Sequence, residues 1–98
     1  MVVSELTDLF EALLGHHGVD RYPTPQLGLI KIQEELGEVS RAFLRGDDAG
    51  VAKELGDVVL AVQGMARHYG IDVMAEVRTN VALAVGRRVD PSPFASTS

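Results

Sequence analysis

The sequence contains no cysteine and no tryptophan, and its only aromatic residues are three phenylalanines and two tyrosines. The absence of cysteine excludes disulfides and zinc sites built on thiolates. Because aromatic rings are so scarce, the sequence assigns no stacking site for a nucleobase. Phe10 and Phe43 fall on the apolar stripes of predicted helices, and we expect both in the core.

An excess of positive charge is also absent. Nine lysines and arginines stand against fourteen acidic residues, which gives a formal net charge of -5. A broad basic surface is the usual electrostatic footprint of nucleic-acid-binding proteins, so a nucleic acid polymer is not a predicted partner. An anionic ligand would have to be held by a few local cations or by a metal ion.

Long apolar runs are missing as well. The longest weakly charged stretch, residues 58–66, is too short to cross a bilayer. The N-terminal segment carries Glu5, Asp8 and Glu11, where a secretory signal needs a basic start and an unbroken apolar run. We therefore predict a cytoplasmic protein without a membrane partner.

The length of 98 residues is that of one domain. We place this domain at residues 1–89, because residues 90–98 have the composition of a disordered tail. No alternation of apolar and polar residues is long enough to indicate a strand. The predicted fold class is all-α, a four-helix antiparallel bundle-like domain.

Capping residues and glycines divide the chain into four predicted helices. The first runs from about Ser4 to Leu14 and is followed by Gly15. The other three are predicted at residues 25–44, from 47 or 48 to 69, and at 72–87. The expected N-caps are Thr24 and either Asp47 or Asp48, and the expected stops are Gly46 and Gly70.

A short acidic phrase occurs twice, as E-L-G-E-V at Glu35–Val39 and as E-L-G-D-V at Glu54–Val58. Each copy carries two carboxylates three residues apart, which lie on one face of a helix. Two such helices side by side would bring four acidic groups together. Carboxylate oxygens are hard ligands that suit Mg²⁺ or Mn²⁺ better than zinc. The repeat therefore predicts a site for a divalent metal.

A simple solvated surface is the alternative interpretation of these acids. On the second helix the apolar and the charged residues separate onto two faces, as on any surface helix. The apolar arc consists of Leu29, Ile32, Leu36, Val39 and Phe43, and the charged side of Lys31, Glu34, Glu35 and Glu38.

The third helix favours the metal interpretation. It is apolar nearly all round from residue 55 to 66, so Glu54 and Asp57 should lie at the edge of its buried arc. Carboxylates withdrawn from water need a compensating cation. The candidates for that cation are a metal ion, Arg41, Lys53 or Arg67.

The full pattern resembles a known family. The acids form a pattern similar to the E-E-x-x-E…E-x-x-D signature of the MazG-like all-α nucleoside triphosphate pyrophosphohydrolases. The matching residues are Glu34, Glu35 and Glu38, followed by Glu54 and Asp57. Residues 66–72, A-R-H-Y-G-I-D, also look like the turn that leads into the last helix of that family. The resemblance spans about residues 25–88.

What the resemblance implies is hydrolysis of an NTP or dNTP between its α and β phosphates, with Mg²⁺ as the required cofactor, which Mn²⁺ could replace. Carried over by position, the metal-holding residues are Glu35, Glu38, Glu54 and Asp57. Glu34 matches the first acid of the motif, to which we assign the orientation or deprotonation of the attacking water.

Substrate contacts are predicted at three positions. Lys31 lies one turn before Glu34 and could reach a phosphate oxygen, or could pair with Glu34 or Glu35 instead. Asn80 is similar to an asparagine that the family places near the nucleotide, but the lysine that commonly follows is replaced here by V-A-L-A. Arg87 could substitute for that lysine, or could only favour the negative end of its helix.

Two further expectations concern partners and alternatives. The last helix is more apolar than a lone domain of this size requires, and the family resemblance implies a homodimer or homotetramer. The alternative function is a non-catalytic helical interaction or regulatory module of the same fold. A phosphoribosyl-ATP pyrophosphatase is a weaker alternative, because no histidine follows Asp57 in the D-L-x-x-H manner.

Overall fold

The computed structural model describes residues 5–17 and 21–87. Four helices make up this part of the chain: α1 (Glu5–His17), α2 (Pro25–Leu44), α3 (Asp48–Ala66) and α4 (Val73–Arg87). A single 3₁₀ turn, Arg67–Tyr69, follows α3, and no strand occurs in the described residues. The all-α prediction is confirmed. The predicted tail at 90–98 lies outside the described residues.

Local capping explains where α2 and α3 begin and end. The hydroxyl of Thr24 accepts a hydrogen bond from the Leu27 amide at 3.1 Å, and Pro25 occupies the first turn. Asp47 caps α3 by accepting from the Gly50 amide at 2.9 Å. Gly46, between the two helices, has a φ of 69°, a conformation that side chains disfavour. The predicted caps and the stop between these helices are confirmed.

The end of α1 differs from the prediction. The helix was expected to stop at Leu14, but it continues through Gly15 to His17. Gly15 is not among the glycines with positive φ, so it does not form the left-handed cap that ends a helix. A glycine in a helix interior costs only about 1 kcal/mol relative to alanine, which the flanking turns can offset.

The antiparallel pair of α2 and α3 is the centre of the fold and carries most of the contacts between elements. Their backbones approach closely because the facing residues are small. A Cβ on Gly28 would lie 2.9 Å from the Cα of Met65, and Ala42 and Ala61 are almost completely buried. This close approach brings the side chains of the two acidic phrases within reach of each other.

The apolar arc predicted for α2 does not face α3 as a unit. The buried and half-buried strip toward α3 consists of Gly28, Ile32, Glu35, Val39 and Ala42. Leu29, Leu36 and Phe43 lie beside this strip and are exposed, Phe43 by 73%. The core prediction for Phe43 is therefore wrong. The two helices pack so closely that small residues, not the largest ones, lie between them.

Helix α1 contributes the main large core side chain. Phe10 is 1% exposed, which confirms its core prediction, and its ring centroid lies 5.5 Å from that of Tyr22.

The stop at Gly70 is confirmed by its φ of 65°, and Asp72 then caps α4 by accepting from the Ala75 amide. Within the described ranges, none of the helices combines the length and the apolarity needed to cross a bilayer.

Candidate functional site

The acidic phrases of α2 and α3 meet at a cluster of three carboxylates. Glu35 reaches across from α2 to Glu54 and Asp57, which lie three residues apart on α3. One carboxylate oxygen from each of the three lies within 4.8 Å of the others, and all three residues are half-buried. Such a group of hard oxygen donors fits Mg²⁺ or Mn²⁺.

Electrostatics in the cluster favour a cation. The pKa of Glu35 is raised, first by partial burial and then by the negative charges of Asp57 and Glu54. Like charges held this close repel one another unless a cation lies between them. The donor set and its charge therefore fit the metal that the repeated phrase predicts.

The raised pKa of Glu35 makes stability depend on pH. Because its pKa in the folded chain is above the value in the unfolded chain, the folded state binds more protons between those two values. The free energy of unfolding of the metal-free protein should therefore decrease as the pH rises through that window. Urea unfolding at a series of pH values measures this decrease, which should be smaller in Glu35→Gln. If the free energy of unfolding of Glu35→Gln depended on pH as it does in the wild type, the assignment of this effect to Glu35 would be contradicted. Glu11→Gln, which replaces an acid on α1, serves as the control.

Lys53 supplies the cation that contacts the cluster in this structure. Its Nζ lies 2.9 Å from Oδ2 of Asp57 and 3.7 Å from Oε2 of Glu54. The hydrogen bond and the charge of Asp57 raise the pKa of Lys53, so it is fully protonated at neutral pH. The side chain is 70% exposed, and an exposed ion pair of this kind is weak and readily exchanged.

Glu38, the fourth predicted metal ligand, lies outside the three-carboxylate group. Its Oε1 is held by Arg41, at 2.7 Å from Nη2 and 3.0 Å from Nε. Glu38 follows Glu35 by almost one helical turn, so it borders the cluster along α2. Of the cations considered from the sequence, Arg41 thus pairs with Glu38 and Lys53 with the cluster.

Glu34 and Lys31 form a pair on the open side of α2. Nζ of Lys31 lies 3.1 Å from Oε1 of Glu34, and the two side chains are 41% and 57% exposed. This ion pair is one of the two arrangements considered for Lys31 from the sequence. A shallow groove of about 410 Å³ follows this side of the helix, lined by Lys31, Gln33, Glu34, Glu35, Gly37, Glu38 and Arg41.

A second cavity, of about 200 Å³, adjoins the cluster next to α1 and the connection between α1 and α2. Its lining combines two cluster acids with cationic and aromatic residues: Leu13, Arg21, Tyr22, Lys31, Glu35, Asp57 and Leu60. Burial, and to a smaller extent the negative charge of Glu35, raises the pKa of Tyr22. We refer to this space as the carboxylate cavity.

Sequence reasoning missed Arg21 and Tyr22. Both lie in the connection between α1 and α2, where no helical spacing relates them to the acidic phrases. The only signal was their position immediately before the Pro-Thr-Pro start of the acidic helix.

The two remaining predicted site residues are on α4. Asn80 is exposed and lines neither the groove nor the carboxylate cavity. Arg87 is the last residue of α4, and its side chain lies outside what the structure describes. The substrate-binding roles of both residues stay predictions.

Comparison with known proteins agrees with the motif. The family model of the MazG nucleotide pyrophosphohydrolase domain matches residues 24–88, which include α2, α3 and α4. No curated protein and no solved structure matches the chain. The matched range contains every acid of the cluster and the acidic residues that border it.

Proposed function

Because the chain belongs to the MazG nucleotide pyrophosphohydrolase domain family, we propose that it hydrolyses an NTP or dNTP between the α and β phosphates. The products are a nucleoside monophosphate and pyrophosphate, and the cofactor is Mg²⁺ or Mn²⁺. The observation that carries this proposal is the convergence of Glu35, Glu54 and Asp57 within 4.8 Å. Hydrolysis of a charged phosphoanhydride is a reaction for which such a group is suited.

The acids divide into two roles. Glu35, Glu54 and Asp57 hold the metal, and Glu38 is a fourth ligand once its carboxylate leaves Arg41. A bound divalent ion neutralises phosphate charge and orients the scissile anhydride. Glu34 lies outside the cluster on the neighbouring surface of α2, where it orients or deprotonates the attacking water.

Substrate binding requires cations as well as the metal. Lys31 contributes to both the groove and the carboxylate cavity, so its ammonium group can move from Glu34 to a phosphate oxygen. Asn80 and Arg87 contact the nucleotide from α4. The protein acts in the cytoplasm.

We also propose that the active form is a homodimer or homotetramer. Apolar side chains on α2, α3 and α4 are about half exposed, including Leu29, Leu36, Leu55, Val59, Val77, Val81, Leu83 and Val85. Exposed apolar area on this scale is unfavourable for a single chain and is covered in oligomers. Light scattering coupled to gel filtration should give a mass of two or four chains, and a monomer at micromolar concentration would contradict this.

One specific observation favours a second candidate function, a non-catalytic interaction module. The chain has V-A-L-A after Asn80, and Asn80 lies apart from the carboxylate cavity. Such a module would bind metal through the same cluster, or none, and would turn over no nucleotide.

A product assay separates the two functions. The purified protein is incubated with a panel of NTPs and dNTPs, with Mg²⁺, with Mn²⁺ and with chelator, and the products are resolved by phosphorus NMR. Monophosphate and pyrophosphate that disappear on chelation would support the enzyme. Orthophosphate as the first product would place cleavage at another bond, and no product from any nucleotide would favour the interaction module.

A further inference from the structure

Arg21 lies at the candidate site and forms no ion pair with the described residues. Three other basic residues near the acids are each paired with a carboxylate: Lys31 with Glu34, Arg41 with Glu38, and Lys53 with Asp57. Arg21 also lines the carboxylate cavity, but no carboxylate of the described residues lies within ion-pair distance of its guanidinium. In the part of the chain that the structure describes, a ligand could therefore bind this guanidinium without breaking an ion pair.

We propose that Arg21 binds the phosphate chain of the substrate inside the carboxylate cavity, and that the contacts of Tyr22 position it there. The inference rests on the proposed function, because it takes a phosphoanhydride as the ligand. The cavity presents Glu35 and Asp57 for a metal and Arg21 and Lys31 for phosphate oxygens. A metal–phosphate complex needs both kinds of group, since the metal neutralises only part of the phosphate charge.

The choice of arginine has a chemical consequence. A guanidinium is a planar fork that can donate two parallel hydrogen bonds to one phosphate group, which an ammonium cannot. Arginine also remains charged at any pH at which the carboxylates ionise. Arg21 is therefore expected to contribute geometry as well as charge.

The backbone beside Arg21 is fixed by residues of the 3₁₀ turn that follows α3. The carbonyl oxygen of Tyr22 accepts a hydrogen bond from Nη2 of Arg67 at 2.9 Å and is also in contact with Nε2 of His68. The guanidinium of Arg67 lies over the ring of Phe10, 5.3 Å from its centroid. We call this set of contacts the Tyr22 clamp.

Gly64 completes the Tyr22 clamp by its lack of a side chain. A Cβ at this position would lie 2.7 Å from Cγ of Tyr22, so the ring packs directly on the α3 backbone. The ring also contacts Phe10, whose ring centroid lies 5.5 Å away. Because the residue next to Arg21 is held at several points, less conformational entropy is lost when Arg21 binds a ligand.

The test compares two charge-neutralising variants, Arg21→Gln and Arg78→Gln. Arg78 is exposed on α4 and lines neither the carboxylate cavity nor the groove on α2, so it controls for the change in net charge. The probe is pyrophosphate with Mg²⁺, titrated calorimetrically. Arg21→Gln should weaken its binding roughly tenfold to a hundredfold, the range for losing hydrogen bonds to a charged group. Arg21→Lys should bind with intermediate affinity, and Arg78→Gln should bind as the wild type does.

The same variants separate this inference from the proposed function. Mn²⁺ titrated alone should bind Arg21→Gln at least as tightly as the wild type, since Arg21 is not a ligand. If the wild type hydrolyses no nucleotide but loses pyrophosphate affinity on Arg21→Gln, the proposed function fails and the inference stands. Unchanged pyrophosphate affinity in Arg21→Gln, or no binding by the wild type, would overturn the inference.

The positioning role of the Tyr22 clamp is tested by Gly64→Ala and His68→Gln. Each should weaken pyrophosphate binding although Arg21 itself is not substituted, and Gly64→Ala should do so more strongly. In the double variants with Arg21→Gln, the clamp substitution should add little, because both changes act through one contact. Additive losses would show that the clamp acts independently of Arg21 and would overturn this part. His68→Gln keeps the test valid if Gly64→Ala does not fold.

Discussion

Asp57→Asn is expected to abolish nucleotide hydrolysis and to weaken Mn²⁺ binding more than about a hundredfold, with no loss of helix. Asp57 belongs to the three-carboxylate cluster and also lines the carboxylate cavity, so it serves both the metal and the substrate space. Loss of a group that only supports a metal ligand already costs roughly 10–100-fold, and a ligand should cost more.

The fold should tolerate this substitution. In the metal-free protein the Asp57 charge repels Glu35, and its partner Lys53 is 70% exposed. Replacing the carboxylate by an amide of the same shape removes the repulsion and one weak ion pair. The expected change in the free energy of unfolding without metal is therefore within about 1 kcal/mol.

Three measurements on matched variants test this expectation: turnover, calorimetric titration with Mn²⁺, and far-ultraviolet circular dichroism. Asp48→Asn is the control, because Asp48 is on the same helix but outside the cluster. Activity that survives Asp57→Asn would remove Asp57 from the metal site. Loss of the helical signal would instead show that the acid is needed for folding.

The pairing of α2 and α3 could be predicted from the sequence because local signals specify it. Thr24 and Asp47 mark helix starts because their side chains cap free amides, and Pro25 because its φ suits the first turn; each is found in that role. The repeated acidic phrase then placed Glu35, Glu54 and Asp57 on two neighbouring helices, where they converge.

Other features depend on tertiary structure, which a single helix does not encode. Periodicity alone placed Phe43 in the core, but the close contact at Gly28 determines which side of α2 faces α3. Because this side of α2 faces α3, Glu35 points toward α3, while Glu38 lies outside the cluster and pairs with Arg41.

The contribution of the α1–α2 connection could not be predicted in the same way. Arg21 and Tyr22 reach the carboxylate cavity because Arg67 and Gly64, more than forty positions later, hold Tyr22 in place. A contact over this sequence separation leaves no periodic signal in the sequence.

Glu34→Gln is expected to lower kcat by about 10²–10⁴-fold, the usual contribution of a general acid or base, with little change in metal affinity. The structure separates Glu34 from the three-carboxylate cluster and pairs it with Lys31 at 3.1 Å. An amide in its place can accept a hydrogen bond from water but cannot take its proton. Because Lys31 is then released from its pair, the KM for the nucleotide should stay the same or decrease.

The comparison of kcat with metal affinity decides the role of Glu34. Steady-state kinetics and Mn²⁺ titration are measured on Glu34→Gln and on Glu11→Gln, an exposed acid of α1 that should behave as the wild type in both. Equal losses of kcat and Mn²⁺ affinity in Glu34→Gln would make Glu34 a metal ligand. An unchanged kcat would mean that another group activates the water. A loss confined to kcat would show that Glu34 acts in proton transfer and that the cluster binds the metal. The two functions would then belong to separate carboxylates, Glu34 and Glu35, at adjacent positions of α2.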